Sequence, residues 1–406
     1  MDQHAQNTTV AQNVAQLRKA RGLSQTELAD AAAISYSLLQ KIEQDTRPAT
    51  PAVVASLARA LGVGAARLNG QPYDQEGDHR DPVHAAIPAV RSALTYWDVP
   101  PRLEVPPRGL DELRADVATI ERLRRLGRYT EMSRILPGLL QETTLAAHTL
   151  AGHDREVAFE LLSILYFCTH TIAFKIGYED LATLVEERFR WSARESQDPF
   201  MVAFSEWTRT QSLLDNGSYD VGLTILERVR HDLDGELGAA DRDAWALYGS
   251  LHLRSAVLAS RAGDADTAYD HIGAARDIAQ HHTPDEVVTS RYQVTFGAAN
   301  VAIHDVAVSV ELSDDGRALD RAQALHIPPT LPPIRTGHHF VDLSRALLWR
   351  NDISGAVDAL RRAREIAPQQ TRHHPTTHAV TQALVHAHRR SNERLTELAH
   401  WVGIDL

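Results

Sequence analysis

Tyr36, Ser37, Gln40 and Lys41 are spaced so that they share the outer face of one short helix. The face carries two hydroxyls, an amide and one cation. Such a set donates and accepts hydrogen bonds, which suits base edges in a major groove better than it suits bond-breaking chemistry. A second polar set, Asn300 and His304, lies four residues apart in the otherwise apolar stretch TFGAANVAIHDV. Paired histidines at His281-His282, His338-His339 and His373-His374, with His378, invite a metal site. His374 and His378 have helical spacing, but Pro375 interrupts them and no acidic or cysteine companion stands nearby, so no metal is expected. The sequence contains no Gly-rich phosphate loop, no G-x-S-x-G elbow and no catalytic Cys/His pairing. No catalytic residue and no cofactor is expected, and the chain reads as a non-enzyme.

The elements that must position the first set are legible around it. Ser24 followed by Glu27 forms a capping box that opens a short helix through Gln25, Leu28 and Ala29. Ala33, Ile34 and Ser35 break the rhythm, and Ser35 caps a second helix from Tyr36 to Glu43. Leu28, Ile34, Leu39 and Ile42 supply the apolar wedge between the two. Upstream, Val10, Val14 and Leu17 recur at helical spacing and Gly22 stops that helix. Downstream, Thr50-Pro51 opens a helix closed by Gly62, and a last turn runs from Ala65 to Leu68. Five short helices form a small all-α unit.

The runs LRKARGLSQTELADAAAISYSLLQKIE and RPATPAVVASLARALGV resemble the Cro/C-repressor helix-turn-helix, the xenobiotic-response-element (XRE) family, over residues 10 to 70. The resemblance implies double-stranded DNA as partner. It implies a phosphate contact for Gln25, base or phosphate contacts for Tyr36, Ser37 and Lys41, and a backbone grip for Arg47. Together with Ser35 and Gln40, these form the expected DNA-binding set. Ala33 and Asp45 stand where the family usually has Gly, and Ala33 should cost about 1 kcal/mol if the backbone is kept. Basic residues exceed acidic ones by three over residues 11 to 69, although the 406-residue chain has net charge −11. This asymmetry fits a chain of which one end meets a polyanion.

The whole chain is 43% hydrophobic and 23% charged, and Cys168 is its single cysteine, so no disulfide framework is possible. The run LLSILYFCTHTIAF is interrupted by Thr and His and is too short to span a bilayer. MDQHAQNTT lacks the basic start and apolar core of a signal peptide. A cytoplasmic protein without membrane contact is expected, and the preference for Ala, Arg and His over Lys suggests a bacterial source. Residues 1–9 read as a disordered start and 71–109 as a linker. The linker holds one helix, where Pro88 is a candidate kink, and a stiff Pro-rich strap, VPPRLEVPPRG.

From Leu110 onward helical periodicity dominates, and a turn pattern repeats every 38 to 50 residues: Gly127, Gly177, Gly217, Gly263, Ser313 and Asn351. Small or apolar residues and helical spacing follow each. The pattern resembles the tetratricopeptide repeat, with longer spacing and few first-helix aromatics. It implies that residues 110–406 form a tetratricopeptide-like α-solenoid of six helix pairs plus a cap over 376–402. The fold class is therefore all-α, a five-helix helix-turn-helix domain joined to that solenoid. The first helix of each such pair lines a concave wall, so the resemblance places Trp207, Gln211, Arg254, Asn300, His304, His338 and Asp342 in an effector groove. For Asn300 and His304 two readings stand: hydrogen bonds to a neighbouring helix, or contacts to a bound ligand.

The expected function is a DNA-binding transcriptional regulator. It would act as a homodimer with a sensing and dimerisation domain at 110–406, whose groove holds a peptide or small-molecule effector. The alternative is a repeat scaffold that binds a partner protein, with the helix-turn-helix recruiting that partner to DNA or serving as a docking module.

Overall fold

Four of the first five helices start on side-chain caps. Thr9 and Ser24 form capping boxes with Gln12 and Glu27, Ser35 accepts from the Leu38 N–H, and Thr50 accepts from Val53. The computed structural model describes residues 9–73, 82–100, 106–238, 241–283, 287–288, 291–388 and 393–404. Most of the expected disordered start, and parts of the linker and its Pro-rich strap, lie outside these residues.

The amino-terminal unit comprises α1 (Val10–Ala20), α2 (Gln25–Ala31), α3 (Tyr36–Glu43), α4 (Pro51–Leu61) and α5 (Ala65–Leu68). Its core gathers Val14, Leu28, Leu39, Ile42, Leu57, Leu61 and Leu68. The turn into α3 holds Ala33 at φ 54°, and Asp45 after α3 has φ 56°. Both keep the left-handed backbone that glycine adopts freely, so the cost expected of Ala33 is present. Ala33 is exposed and lends no packing. Ala33→Gly should therefore stabilise the α2–α3 corner by up to about 1 kcal/mol, less the extra unfolded-state entropy. Slower amide exchange in α2 and α3 of the full chain would show it, and unchanged exchange would contradict it.

The rest of the described chain is built from antiparallel helix pairs. They are α7 (Leu110–Arg125) with α8 (Tyr129–Thr149), α9 (Gly152–Lys175) with α10 (Glu179–Glu195), and α11 (Pro199–Asn216) with α12 (Tyr219–Leu233). Next come α13 (Arg242–Ala262) with α14 (Ala265–His282), α15 (Ala298–Glu311) with α16 (Asp315–Ala324), and α17 (Pro333–Trp349) with α18 (Ile353–Ile366). Helices α19 (Pro368–His373), α20 (Pro375–His388) and α21 (Glu393–Val402) follow. Within every pair the turn residue is left-handed: Gly127, Gly177, Gly217, Gly263, Ser313 and Asn351 have φ between 59° and 87°. Such a residue ends one helix and redirects the chain. Five positions later stands Met132, Ala182, Gly222, Ala268, Ala318 or Ala356, each buried where the returning helix meets its neighbours. A Cβ on Gly222 would overlap Leu258.

Three local features differ from the sequence reading. First, the linker helix is α6 (Pro82–Leu94), with Pro88 inside it. It is not a free tether: Val83, Ile87, Val90 and Leu94 join the main core and pack on α8. Second, α9 is 24 residues long and apolar enough to cross a membrane by length and composition. It is nonetheless a core helix, packed by α7, α8 and α10, and Cys168 is buried within it. Third, an antiparallel hairpin of β1 (Val287–Val288) and β2 (Thr295–Phe296) interrupts the helices between α14 and α15. Phe296 is fully buried against α13, where Gly249 leaves room that a Cβ would fill.

Candidate nucleic-acid interface and inner cavity

The polar face of α3 points to solvent. Ser35, Tyr36, Ser37, Lys41 and Arg47 are exposed, and Gln25 and Gln40 are half-buried. Tyr36 retains 46% of its accessible surface, so its ring and hydroxyl are open to a partner. The Ser35 hydroxyl is occupied by its cap bond to Leu38. Gln25 is partly engaged: one N–H donates to Glu43 Oε2 at 2.8 Å, and its carbonyl accepts from the Tyr36 hydroxyl at 3.4 Å. The second amide proton stays free for a phosphate.

Beneath this face lies a pin that sequence reading missed. The Arg18 guanidinium donates to both Glu43 oxygens, Nε to Oε1 at 2.6 Å and Nη2 to Oε2 at 2.9 Å, and Nη1 donates to the Leu23 carbonyl. Both side chains are nearly buried. Burial works against the Glu43 carboxylate, but bonds from Arg18 and Gln25 outweigh it and hold its pKa below the ordinary range. The pair locks α1 to the end of α3 and fixes how α3 is presented.

Residues 10–69 match the family model described as a helix-turn-helix domain. The amino-terminal unit is a helix-turn-helix domain. The match ends before the helix pairs, and no curated protein and no solved structure matches the chain.

The helix-turn-helix domain is seated on the repeats through α4, α5 and the residues that follow them. Helix α4 packs on α11 and α13, and Arg59 Nη1 donates to the Gly217 carbonyl at 3.3 Å. Glu179, at the start of α10, accepts the Ala66 N–H at 2.6 Å, and a Cβ on Gly64 would overlap its carboxylate. Gly177 makes similar room for Gln71, whose amide donates to the His373 carbonyl. Tyr73 stacks on His378 with ring centroids 3.6 Å apart. His378 thus serves the seat, and its Nε2 bonds the Arg372 carbonyl. Among the described residues no three His, Cys, Asp or Glu side chains converge as metal ligands.

Between the seat and the inner helices lies a cavity of about 350 Å³. Its walls include Trp207, Gln211, Arg254, Asn300, His304, His338 and Asp342, so all seven residues that the tetratricopeptide resemblance places in a groove line one space. Its roof belongs to the helix-turn-helix domain: Val10, Pro48 to Pro51, Val54, Ala65, Ala66 and Asn69. Much of the wall's polar capacity is already engaged. Trp207 Nε1 donates to the Ser250 carbonyl, and Arg254 Nη1 donates to Gln211 Oε1 at 2.6 Å. Asn300 Nδ2 donates to the Thr295 carbonyl at 2.6 Å, and His304 Nδ1 bonds the Asn300 carbonyl. The local-bond reading therefore accounts for the Asn300 N–H, while its Oδ1 has no partner among the described residues.

Burial sets the charge of this wall. It pushes His304 down to about 3 and His338 well below its usual value, the latter reinforced by His374 and Lys175. It also raises Asp215 and Asp342 to about 7. The 3.6 Å approach of His338 to Asp342 is accordingly a contact between groups that each favour the neutral form. Glu311 is the exception: burial opposes its ionisation, but Arg345 and Arg261 hold it charged. Lys175 and Arg335, outside that set of seven, also line the cavity.

Proposed function

We propose that the chain is a transcriptional regulator of the XRE type. It binds operator DNA through α3 as a homodimer, and a peptide or small molecule in the cavity alters that binding. The carrying observation is that one cavity is walled by the helix pairs and roofed by the helix-turn-helix domain. A ligand there touches both units at once, so it can favour one seating of the DNA reader over another. Such a differential interaction is what coupling requires. The turn-and-small-residue repeat supports a tetratricopeptide-type sensing domain. A single domain this small covers little DNA, so a dimer reading two half-sites about 34 Å apart follows.

Residue roles separate under mutation. Lys41→Ala should weaken binding to all sequences alike and flatten the plot of log affinity against log salt by about one unit, one phosphate contact being lost. Tyr36→Ala and Ser37→Ala should change which sequence is preferred. An array of DNA sites measures both effects, and unchanged preference in the Tyr36 and Ser37 variants would remove α3 as the base reader.

A further inference from the structure

Three cations in the cavity wall, Lys175, Arg254 and Arg335, have no carboxylate within ion-pair distance among the described residues. Aromatic faces hold two of them instead: the Arg254 guanidinium lies 4.3 Å from the Trp207 ring centroid, and Lys175 Nζ lies 5.3 Å from that of Phe174. From three different first-of-pair helices, α9, α13 and α17, they reach one space. Arg18 is matched to Glu43 and Arg345 to Glu311, whereas Arg188 and Arg230, half-buried like these three, rest on Trp97 and the Ser255 hydroxyl. Half-buried cations that lack an acid lose hydration without a compensating charge, and an anion that enters from outside stabilises them.

We infer that the cavity takes a small organic anion, an oxyanion head on an apolar or aromatic body, with Lys175, Arg254 and Arg335 gripping the head. Arginine forks match carboxylate and phosphate oxygens alike, and lysine adds a point charge. Phe167 and Trp207 give the body an apolar wall. A cavity of about 350 Å³ lies within the size range of small-molecule sites. Burial, then repulsion from Arg335, lowers Lys175 to about 8 and Arg254 to about 9, and Asp215 on the same wall opposes both shifts without cancelling them. The inference rests on the reading of this cavity as an effector site.

The test is calorimetry and thermal melting of the full chain with phenylacetate, phenyl phosphate, inorganic phosphate and the neutral isostere phenylacetamide. At least one aromatic anion is expected to bind and raise the melting temperature, and phenylacetamide to do neither. The two aromatic anions distinguish a carboxylate head from a phosphate head, and inorganic phosphate shows whether the body is needed. Arg335→Gln and Lys175→Gln should each weaken the preferred anion roughly tenfold to a hundredfold, while melting without ligand stays equal or rises. Equal binding of phenylacetate and phenylacetamide, no binding by any probe at millimolar concentration, or full affinity in both variants overturns the inference. Operator affinity is measured separately. An anion that binds but leaves DNA affinity unchanged upholds the ligand class and refutes the effector role.

Discussion

Replacing Glu43 with Ala should cost the helix-turn-helix domain about 3 kcal/mol, because it strands the nearly buried Arg18 guanidinium. The loss reaches DNA binding without any contact to DNA having been removed. Gln25 loses the oxygen that holds its amide, and the end of α3 loses its tie to α1. Amide exchange in α1 and α3 should accelerate in the full chain while exchange in α9 does not. Removing both charges, as Arg18→Met with Glu43→Leu, should recover most of the stability, since a well-packed apolar pair commonly replaces a buried ion pair at little cost. The pH dependence has a definite sign. The folded Glu43 pKa lies below its unfolded value of about 4.3, so its stabilisation is complete above that value and is lost as pH falls through the folded pKa. Acid lability of the domain should therefore shrink in the double variant. Equal protection of α1 and α3 in wild type and Glu43→Ala would show that the pair is incidental.

The second large effect concerns the seat. Glu179→Ala should release the helix-turn-helix domain from the repeats, because its carboxylate is the acceptor for the Ala66 N–H at the interface. A hydrogen bond to a charged acceptor of this kind contributes about 2 kcal/mol, roughly a thirty-fold shift between seated and unseated forms. Gly64→Ala should act in the same direction by crowding the same carboxylate. Dyes on Asp30 and Asp266, both exposed, would report a longer and broader distance in either variant. Operator affinity should then no longer respond to a cavity ligand. An unchanged distance distribution would place the control of seating elsewhere.

How much of this was legible depended on whether its cause was local. The caps at Ser24, Ser35 and Thr50 act within three residues, so they announced α2, α3 and α4 directly. The six left-handed turns were readable for the same reason, even where Ser313 and Asn351 replace glycine. The hairpin was missed because YQVTF is short and lies in a helix-dominated chain, although its β-branched and aromatic residues carried the signal. The fate of α6 was hidden because an amphipathic face does not say what covers it. Gly64 and Glu179 stand 115 positions apart, and nothing near either names the other. For the cavity, the tetratricopeptide resemblance found seven wall residues on the first helices of the pairs. It passed over Lys175 at the end of α9 and Arg335 at the start of α17, where a cation ordinarily means a solvated helix end.

The central claim is that α3 reads duplex DNA while the repeats govern its presentation. The most direct measurement is selection of fragments from a random duplex pool by the purified full chain at low salt. The account predicts enrichment of a two-half-site element with centres about one helical turn apart, and a different enriched element for Tyr36→Ala. Enrichment of no sequence, or the same sequence from wild type and Tyr36→Ala, would contradict it.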